Sequence, residues 1–467
     1  MLYNSNTYFD AARQTLGSSK FSGTENTPFD SIASSERDII RAGARNAHNN
    51  FEMMHNIDVS ITDNSIGSGL KLNMITSDKD FNKEVEDRWA EFSTDFLDFY
   101  EEKNIVDIQR TLLMQRMVDG GQFIKFTRPT SPQFPFSIQL VEVDNLETST
   151  RYIKNGFVAD GIVFDRKGKV KGYNFRKYKN PIWDDFYSGN IYSGNTFDAR
   201  FVKKDDILFF KRNDSSRSSQ RREISEYAQV LNTIRYFKSF QDSTVESASA
   251  RAKLIYAVES EGMGGYNLGS DGKKYEYMNG VYTRYLKQGE KLHVVDPTVA
   301  GTRYEEFHKN NLRQLAIGRG VSYELAMRDA SSANFSSIRA SIIQDHKLFD
   351  YNQMNMTNNF LNKIYYKFVR QMALGDRFST VSSNKYALNQ NEYHRHQWIA
   401  PARSWVDPYK DVKALVEKYN LGVITLSDIA KSEGKDIADI IEERAKENEM
   451  MKKAGLIQEG NVKWKEN

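Results

Sequence analysis

Two pairs of adjacent carboxylates, Asp184-Asp185 and Asp205-Asp206, have the chemistry to hold the magnesium ion of a nuclease. Neighbouring side chains on a strand point to opposite faces, so each pair suits a turn or strand end better than a shared metal. Of 7 histidines, His394 and His396 have the spacing that places two imidazoles on one strand face. A zinc site needs more ligands, and the chain contains no cysteine. The glycine-rich stretch Gly262 to Gly269 runs on to Gly272-Lys273-Lys274. There Asn267 stands where a phosphate-binding loop has its first glycine, and Lys274 where it has the magnesium-binding hydroxyl. The Gly-x-Ser-x-Gly elbow of the serine hydrolases is missing too. These residues point to a chain without a catalytic site, a metal or a cofactor. A magnesium-dependent nuclease built on Asp184, Asp185, Asp205 and Asp206 is the alternative.

Composition sets the remaining limits. A chain of 467 residues exceeds what one hydrophobic core usually serves, so two or three packed substructures are expected. The 65 Lys and Arg nearly balance 62 Asp and Glu, leaving a formal charge of +3. That is too little for a protein that coats nucleic acid over its whole surface, so contact with phosphates must be local or transient. Cysteine-free composition fits a reducing cytoplasm. The start of the chain shows no secretory signal, and apolar runs such as Ile207-Leu208-Phe209-Phe210 fall far short of the roughly 20 residues that cross a bilayer.

The elements that must position any site follow from the periodicity. Residues 1–34 lack sustained periodicity and read as an N-terminal arm. From Ser35 a helix starts, with Arg37, Arg41 and Arg45 in a stripe suited to solvent or a subunit contact. Ile57-Asp58-Val59-Ser60-Ile61 alternates as a strand does, and Gly67 and Gly69 mark a turn between strands. Val85, Trp89, Phe92, Phe96 and Phe99, then Ile105, Ile108, Leu112 and Leu113, have helical spacing, and the aromatic stripe reads as core. Between Gln122 and Phe210 the period shortens to two, a β-rich block, and Lys211 to Arg222 reads as an exposed basic loop. Helices return at about 224–257, 302–317 and 338–373. The last has an amphipathic far end but a middle that is polar nearly all round, which demands a hydrated setting. Asp407-Pro408, Thr425 with Asp428, and Ile437 open three further helices, which end at Gly422, Gly434 and Gly455.

The order of these segments resembles the lambda-like family of phage portal proteins, from about Arg37 to Gly455. Arg41-Ala42-Gly43-Ala44-Arg45-Asn46 with Asp63 to Gly69, Val118-Asp119-Gly120-Gly121-Gln122-Phe123 and Asp296 to Ala300 carry the first half of the resemblance. Leu315 to Glu324, Asn334 to Ala340, and Trp405 to Lys410 with Gly422 to Thr425 carry the second. Gly121 departs from the family's pattern, which has an acidic residue in that turn.

The resemblance implies an α+β, portal-type subunit with an α/β wing, a helical stem, a short clip and a C-terminal helical crown. Such subunits assemble into a ring, typically dodecameric, around a DNA channel. Applied to this chain, it implies an arm (1–34), wing (35–301), first stem helix (302–317) and clip (318–337). A second stem helix continuing into the wing (338–374), a tunnel-loop region (375–406) and C-terminal helices of wing or crown (407–467) complete it. Asn352, Gln353, Asn355 and Asn359 would face the channel, and Lys385, Tyr386, Arg395 and Trp398 would lie on the tunnel loop. Ser322, Tyr323, Asn334 and Phe335 would form the partner-binding clip. The implied partners are further copies of the chain, double-stranded DNA, the terminase large subunit, the major capsid protein and head-completion or adaptor proteins. The implied place is the portal vertex of a virion, after synthesis in the host cytoplasm, with no membrane. Another ring-forming virion protein, without a motor interface, is a further rival.

Overall fold

The computed structural model describes residues 30, 36–148, 150–176, 199–214, 217–218, 220–253, 275–278, 281–284, 304–329, 331, 334–403 and 408–454. Asp184, Asp185, the glycine-rich stretch near Gly262 and Asp407 lie outside them. The chain opens on α1 (Arg37–Asn50) and α2 (Glu52–Ser65), then a short strand β1 (Lys71–Met74). Helix α3 (Lys79–Glu91) starts where the Asp78 side chain accepts from the Phe81 N–H, and continues into a π-helical turn, Phe92–Phe96. Asn104 and Asp107 form a capping box for α4 (Ile105–Asp119). Gly120 ends that helix with φ of 85°, and a Cβ there would stand 2.9 Å from the Ile224 backbone.

Eight strands follow: β2 (Gln122–Thr127), β3 (Ser137–Val141), β4 (Arg151–Ile153), β5 (Gly156–Ala159), β6 (Ile162–Asp165), β7 (Val170–Arg176), β8 (Ala199–Lys203) and β9 (Ile207–Phe210). They form two antiparallel sheets, in the orders β3-β2-β9 and β4-β5-β6-β7-β8. Phe123 bridges them, with its ring 5.0 Å from Tyr173 and 5.1 Å from Phe175, and closes a small core of its own.

The remainder is mostly helical. Helix α5 (Leu231–Lys253), the hairpin β10 (Tyr275–Met278) and β11 (Val281–Arg284), α6 (Tyr304–Gly318) and α7 (Tyr323–Met327) come first. Helix α8 (Phe335–Met356) passes through a π-helical turn, Thr357–Leu361, into α9 (Asn362–Leu374). Then come α10 (Ser383–Leu388), α11 (Gln390–Tyr393), β12 (His396–Ile399), α12 (Pro408–Asn420), α13 (Leu426–Ser432) and α14 (Ile437–Lys453).

The main core gathers α1 to α4, the inner halves of α5 and α6, and α9. Phe368 of α9 stacks on Phe92 at 4.8 Å and meets Trp89 edge-on at 5.4 Å, so the aromatic stripe read from the sequence is core as far as Phe96, while Phe99, past the end of the helix, is exposed. Strand β12 pairs with β1, Leu72 opposite Trp398, and ties the late chain to the early one.

The alternating run Ile57 to Ile61 is helical, not a strand. Alternation marks a strand only when its polar members face water. Here Asp58, Ser60 and Thr62 are buried with Ile57 and Ile61, and the Thr62 hydroxyl donates to the Asp58 carbonyl one turn back. Gly67 and Gly69 accordingly link a helix to β1.

Candidate channel elements and a buried polar relay

Helices α5 and α6 pack antiparallel. The α-carbon of Gly318 faces Val230, the rings of Phe237 and His308 lie 4.9 Å apart, and those of Phe240 and Phe307 4.4 Å apart. The outer ends of both helices lead into residues 254–303, of which the hairpin β10–β11 is described. Helix 302–317, expected to pair with 338–360, thus pairs with α5 instead.

At the base of this hairpin stands Arg319, between Gly318 and Gly320 and buried. Its Nη2 donates to Asp58 at 2.8 Å, its Nη1 lies 3.6 Å from Glu226, and its guanidinium covers the Tyr227 ring at 4.9 Å. Asp58 also accepts from the Tyr227 hydroxyl and, at 2.8 Å, from His48 Nδ1. Burial and the Asp58 charge push the Tyr227 phenol far up, so it stays a donor. Burial alone would lower the Arg319 pKa, but Asp58 and Glu226 outweigh it.

Glu226 extends the network to Arg116 at 3.2 Å, and Arg116 donates to the Asn352 side chain at 2.8 Å. Asn352 in turn donates to Ser65 at 3.0 Å, Asn355 to the Lys211 carbonyl at 3.2 Å, and Gln353 to the Ser65 carbonyl at 2.9 Å. Asn352 and Asn355 are only 1% and 4% exposed. Both are turned into the subunit, which corrects their expected position facing a channel. The polar middle of the long helix exists because Arg116 and the Ser65 and Lys211 backbone need partners there. Asn359 meets Asn213 at 2.7 Å on the surface.

Segment 318–337 does not stand apart from the body as a clip. Val321 and Ala326 are buried in the main core, and Asn56 donates to the Ala326 carbonyl at 2.7 Å. Ser322 caps α7 and bonds to Asp345, while Tyr323 packs partly buried below Lys309 and Arg313. Asn334 is exposed and caps α8, which starts at Phe335.

Of region 375–406, the described residues 375–403 are folded rather than an open loop. Tyr386 is fully buried, with its hydroxyl 2.6 Å from His394 Nε2, and Trp398 donates to Asn362 at 2.7 Å within the β1–β12 pair. These two are packing residues, a correction to their tunnel-loop assignment. Lys385 and Arg395 are exposed beside them. Burial, His396 and Arg370 hold His394 down at about 4, so its ring is neutral.

The two basic segments are structural. Arg37 pairs with Asp30 and Asp160, Arg41 with Asp38 and Asp144, and Arg45 with Asp119 and Asp144. This stripe fastens α1 to the β-rich block instead of facing solvent. Arg222, expected in an exposed loop, is buried against Asp160 at 2.7 Å. Asp205 and Asp206 lie exposed in the turn between β8 and β9, and among the described residues no group of His, Asp and Glu could hold a metal ion. Asp58, Arg116, Glu226 and Arg319, the centre of the relay, went unnoticed in the sequence. The one signal is charge at apolar helix positions, such as Arg116 beside Leu112, Leu113 and Met117.

The family model for phage portal protein, lambda family, matches residues 18–353. Portal protein B of Escherichia phage lambda is 19% identical over 406 residues, 80% of this chain and 75% of that protein. The portal protein of Escherichia phage N15 has the same figures. The probable portal protein of Halomonas phage phiHAP-1 is 21% identical over 358 residues, 72% of this chain and 64% of that protein. Among solved structures, the neck of a native gene transfer agent particle computed with C12 symmetry aligns over 85% of this chain and 97% of that one. Its identity is 11% and its TM-score 0.39. The family match spans both sheets, the α5–α6 hairpin and the relay up to Gln353, and on that ground the chain belongs to the lambda family of phage portal proteins.

Proposed function

We propose that this portal protein assembles into a closed ring, dodecameric in the usual manner of its family, at one vertex of the phage capsid. Double-stranded DNA passes through it during packaging, is retained there, and leaves through it at ejection. The observation that supports this reading best is the α5–α6 hairpin, anchored at its base by Arg319 and leading at its tip into residues 254–303. A paired, anchored hairpin of this kind suits a stem, and the segment at its tip suits a clip for the terminase large subunit and later for head-completion or adaptor proteins. The clip role thus moves away from Ser322, Tyr323, Asn334 and Phe335. Exposed polar residues of α6, Asn310, Arg313 and Gln314, replace Asn352 and Asn355 as channel-facing candidates. The wing contacts the major capsid protein.

In this reading the chain performs no catalysis, and a separate ATPase drives the DNA. Negative-stain images of the purified protein test it: rings with a central hole are expected, and a monomer persisting at high concentration would overturn it. Magnesium-dependent cleavage of linear DNA, abolished by Asp205→Ala, would establish the nuclease instead.

A further inference from the structure

Helix α9 carries a stripe of cations that make no ion pair within 4 Å among the described residues. Lys363, Lys367 and Arg370 recur at steps of four and three, one line along a helix of 3.6 residues per turn. The opposite side of the same helix, Ile364, Tyr365 and Phe368, is buried. Lys367 Nζ sits 3.8 Å over the Phe126 ring and 3.4 Å from the Asp205 carbonyl, which brings the β8–β9 turn, with Lys204, alongside the stripe. Lys125 on β2 and Arg200 on β8 form a separate pair of like charges, because Lys125 alternates with Phe126 and points to the other face of the sheet.

These cations repel one another. Burial and Lys204 lower Lys363, and burial and Arg200 lower Lys125. Among the described residues no ion pair within 4 Å is made by Lys125, Arg200, Lys204, Lys363 or Arg370, and all but Lys125 are exposed. The acids nearest the stripe, Asp205 and Asp206, lie in the same turn and act on Lys367, whose pKa burial nonetheless lowers. In the body of the subunit the opposite rule holds, for Arg37, Arg41, Arg45, Arg222 and Arg319 all have carboxylate partners. A cluster of like charge is costly to the folded state unless an anion offsets it.

We propose that this face binds the phosphodiester backbone of DNA without reading its sequence. Three cations along about 10 Å of helix, with Lys204 of the β8–β9 turn beside them, meet a surface whose charges are as dense and regular as those of duplex DNA. The conduit reading enters only in choosing DNA over an acidic polypeptide as the polyanion.

The test uses the full chain and a fluorescent mixed-sequence duplex of about 30 base pairs, titrated from about 50 to 200 mM salt. The Lys204→Gln/Lys363→Gln/Arg370→Gln variant should bind at least about tenfold more weakly at the low-salt end, equally for two unrelated sequences. The slope of log Kd against log salt should fall by about 2 to 3, at about 0.9 per lost phosphate contact. Its Tm should match or exceed that of the parent, because repulsion is removed. Lys204→Arg/Lys363→Arg, which keeps the charge, should bind as the parent does. Unchanged affinity and slope in the Gln variant, failure of the Arg variant, or binding of polyglutamate in place of duplex would each overturn the proposal. Imaging the same samples separates the two readings, because intact rings with unaltered DNA affinity sink this inference alone, whereas absent rings sink the conduit.

Discussion

Replacing Arg319 by Met keeps most of the side chain's volume and removes the guanidinium that lies between Asp58 and Glu226. The side chains of Arg319 and Asp58 are 1% and 0% exposed, so water cannot take over the lost contacts. Asp58 would keep the Tyr227 hydroxyl and His48 as side-chain partners. Removing one partner of a buried ion pair costs about 3–5 kcal/mol, since the remaining charge is left uncompensated. The guanidinium over Tyr227 adds about 1–2 kcal/mol more in isolation, but contacts that share one group do not add. About 3–5 kcal/mol is therefore expected. Arg110→Met, which breaks an exposed pair with Asp63, should cost less than about 1 kcal/mol. Urea unfolding followed by tryptophan fluorescence measures both, at several protein concentrations because assembly shifts apparent stability. In the double variant Arg319→Met/Asp58→Asn the losses should fall short of their sum by at least about 1 kcal/mol. An Arg319→Met protein within about 1 kcal/mol of the parent, or strict additivity in the double variant, would refute the buried-pair argument.

Other consequences follow from neighbouring groups. His394, held at about 4 against an ordinary 6.5, favours the neutral ring in the folded chain, so the unfolded chain takes the proton first as pH falls. His396 is lowered as well. Tm should therefore be flat above pH 6.5 and fall between 6.5 and 4, and His394→Gln should flatten that fall; an unaltered slope would exclude His394 as its source. Asn352→Leu removes one acceptor from Arg116 and should cost about 1–3 kcal/mol in urea unfolding, whereas channel-facing residues would tolerate it. Gly120→Ala meets both a left-handed φ and the Ile224 backbone, and should cost at least about 1 kcal/mol, with little change if α4 ended otherwise.

Where a face of an element meets apolar neighbours on one side and water on the other, its period was legible. The Val85 to Phe96 stripe and the β-rich block follow that rule, whereas the largely exposed C-terminal helices Pro408–Asn420, Leu426–Ser432 and Ile437–Lys453 were legible from their end signals, such as the Thr425–Asp428 capping box. Legibility failed where polar residues are inside. Asp58 made α2 look like a strand, Asn352 and Asn355 made α8 look wet, and the buried Arg222 passed for part of the exposed loop to which Asn213, Asp214, Arg217 and Arg221 belong. In each case the partner lies far off in sequence, as with Asp58 and Arg319, 261 residues apart, so no local window contains the reason for the residue. The pairing of α6 with α5 was hidden similarly, because their contact is set by tertiary packing across an intervening segment.

The near-zero net charge takes on a different meaning in three dimensions. A formal +3 limits phosphate contact to local or transient sites, but it does not require acids and bases to mix evenly over the surface. Many of the acids are committed inside: Asp58 to Arg319, Asp119 and Asp144 to Arg45, Asp160 to Arg37 and Arg222, Glu226 to Arg116. Each such pair removes one charge of either sign from the outer field. What remains outside need not be balanced locally, and on α9 it is not. Total charge therefore sets no limit on how strongly one face attracts phosphates, because screening over about 10 Å makes the local cluster the relevant quantity. A chain that is nearly neutral overall can thus hold DNA at one face while the rest of its surface leaves it free to slide.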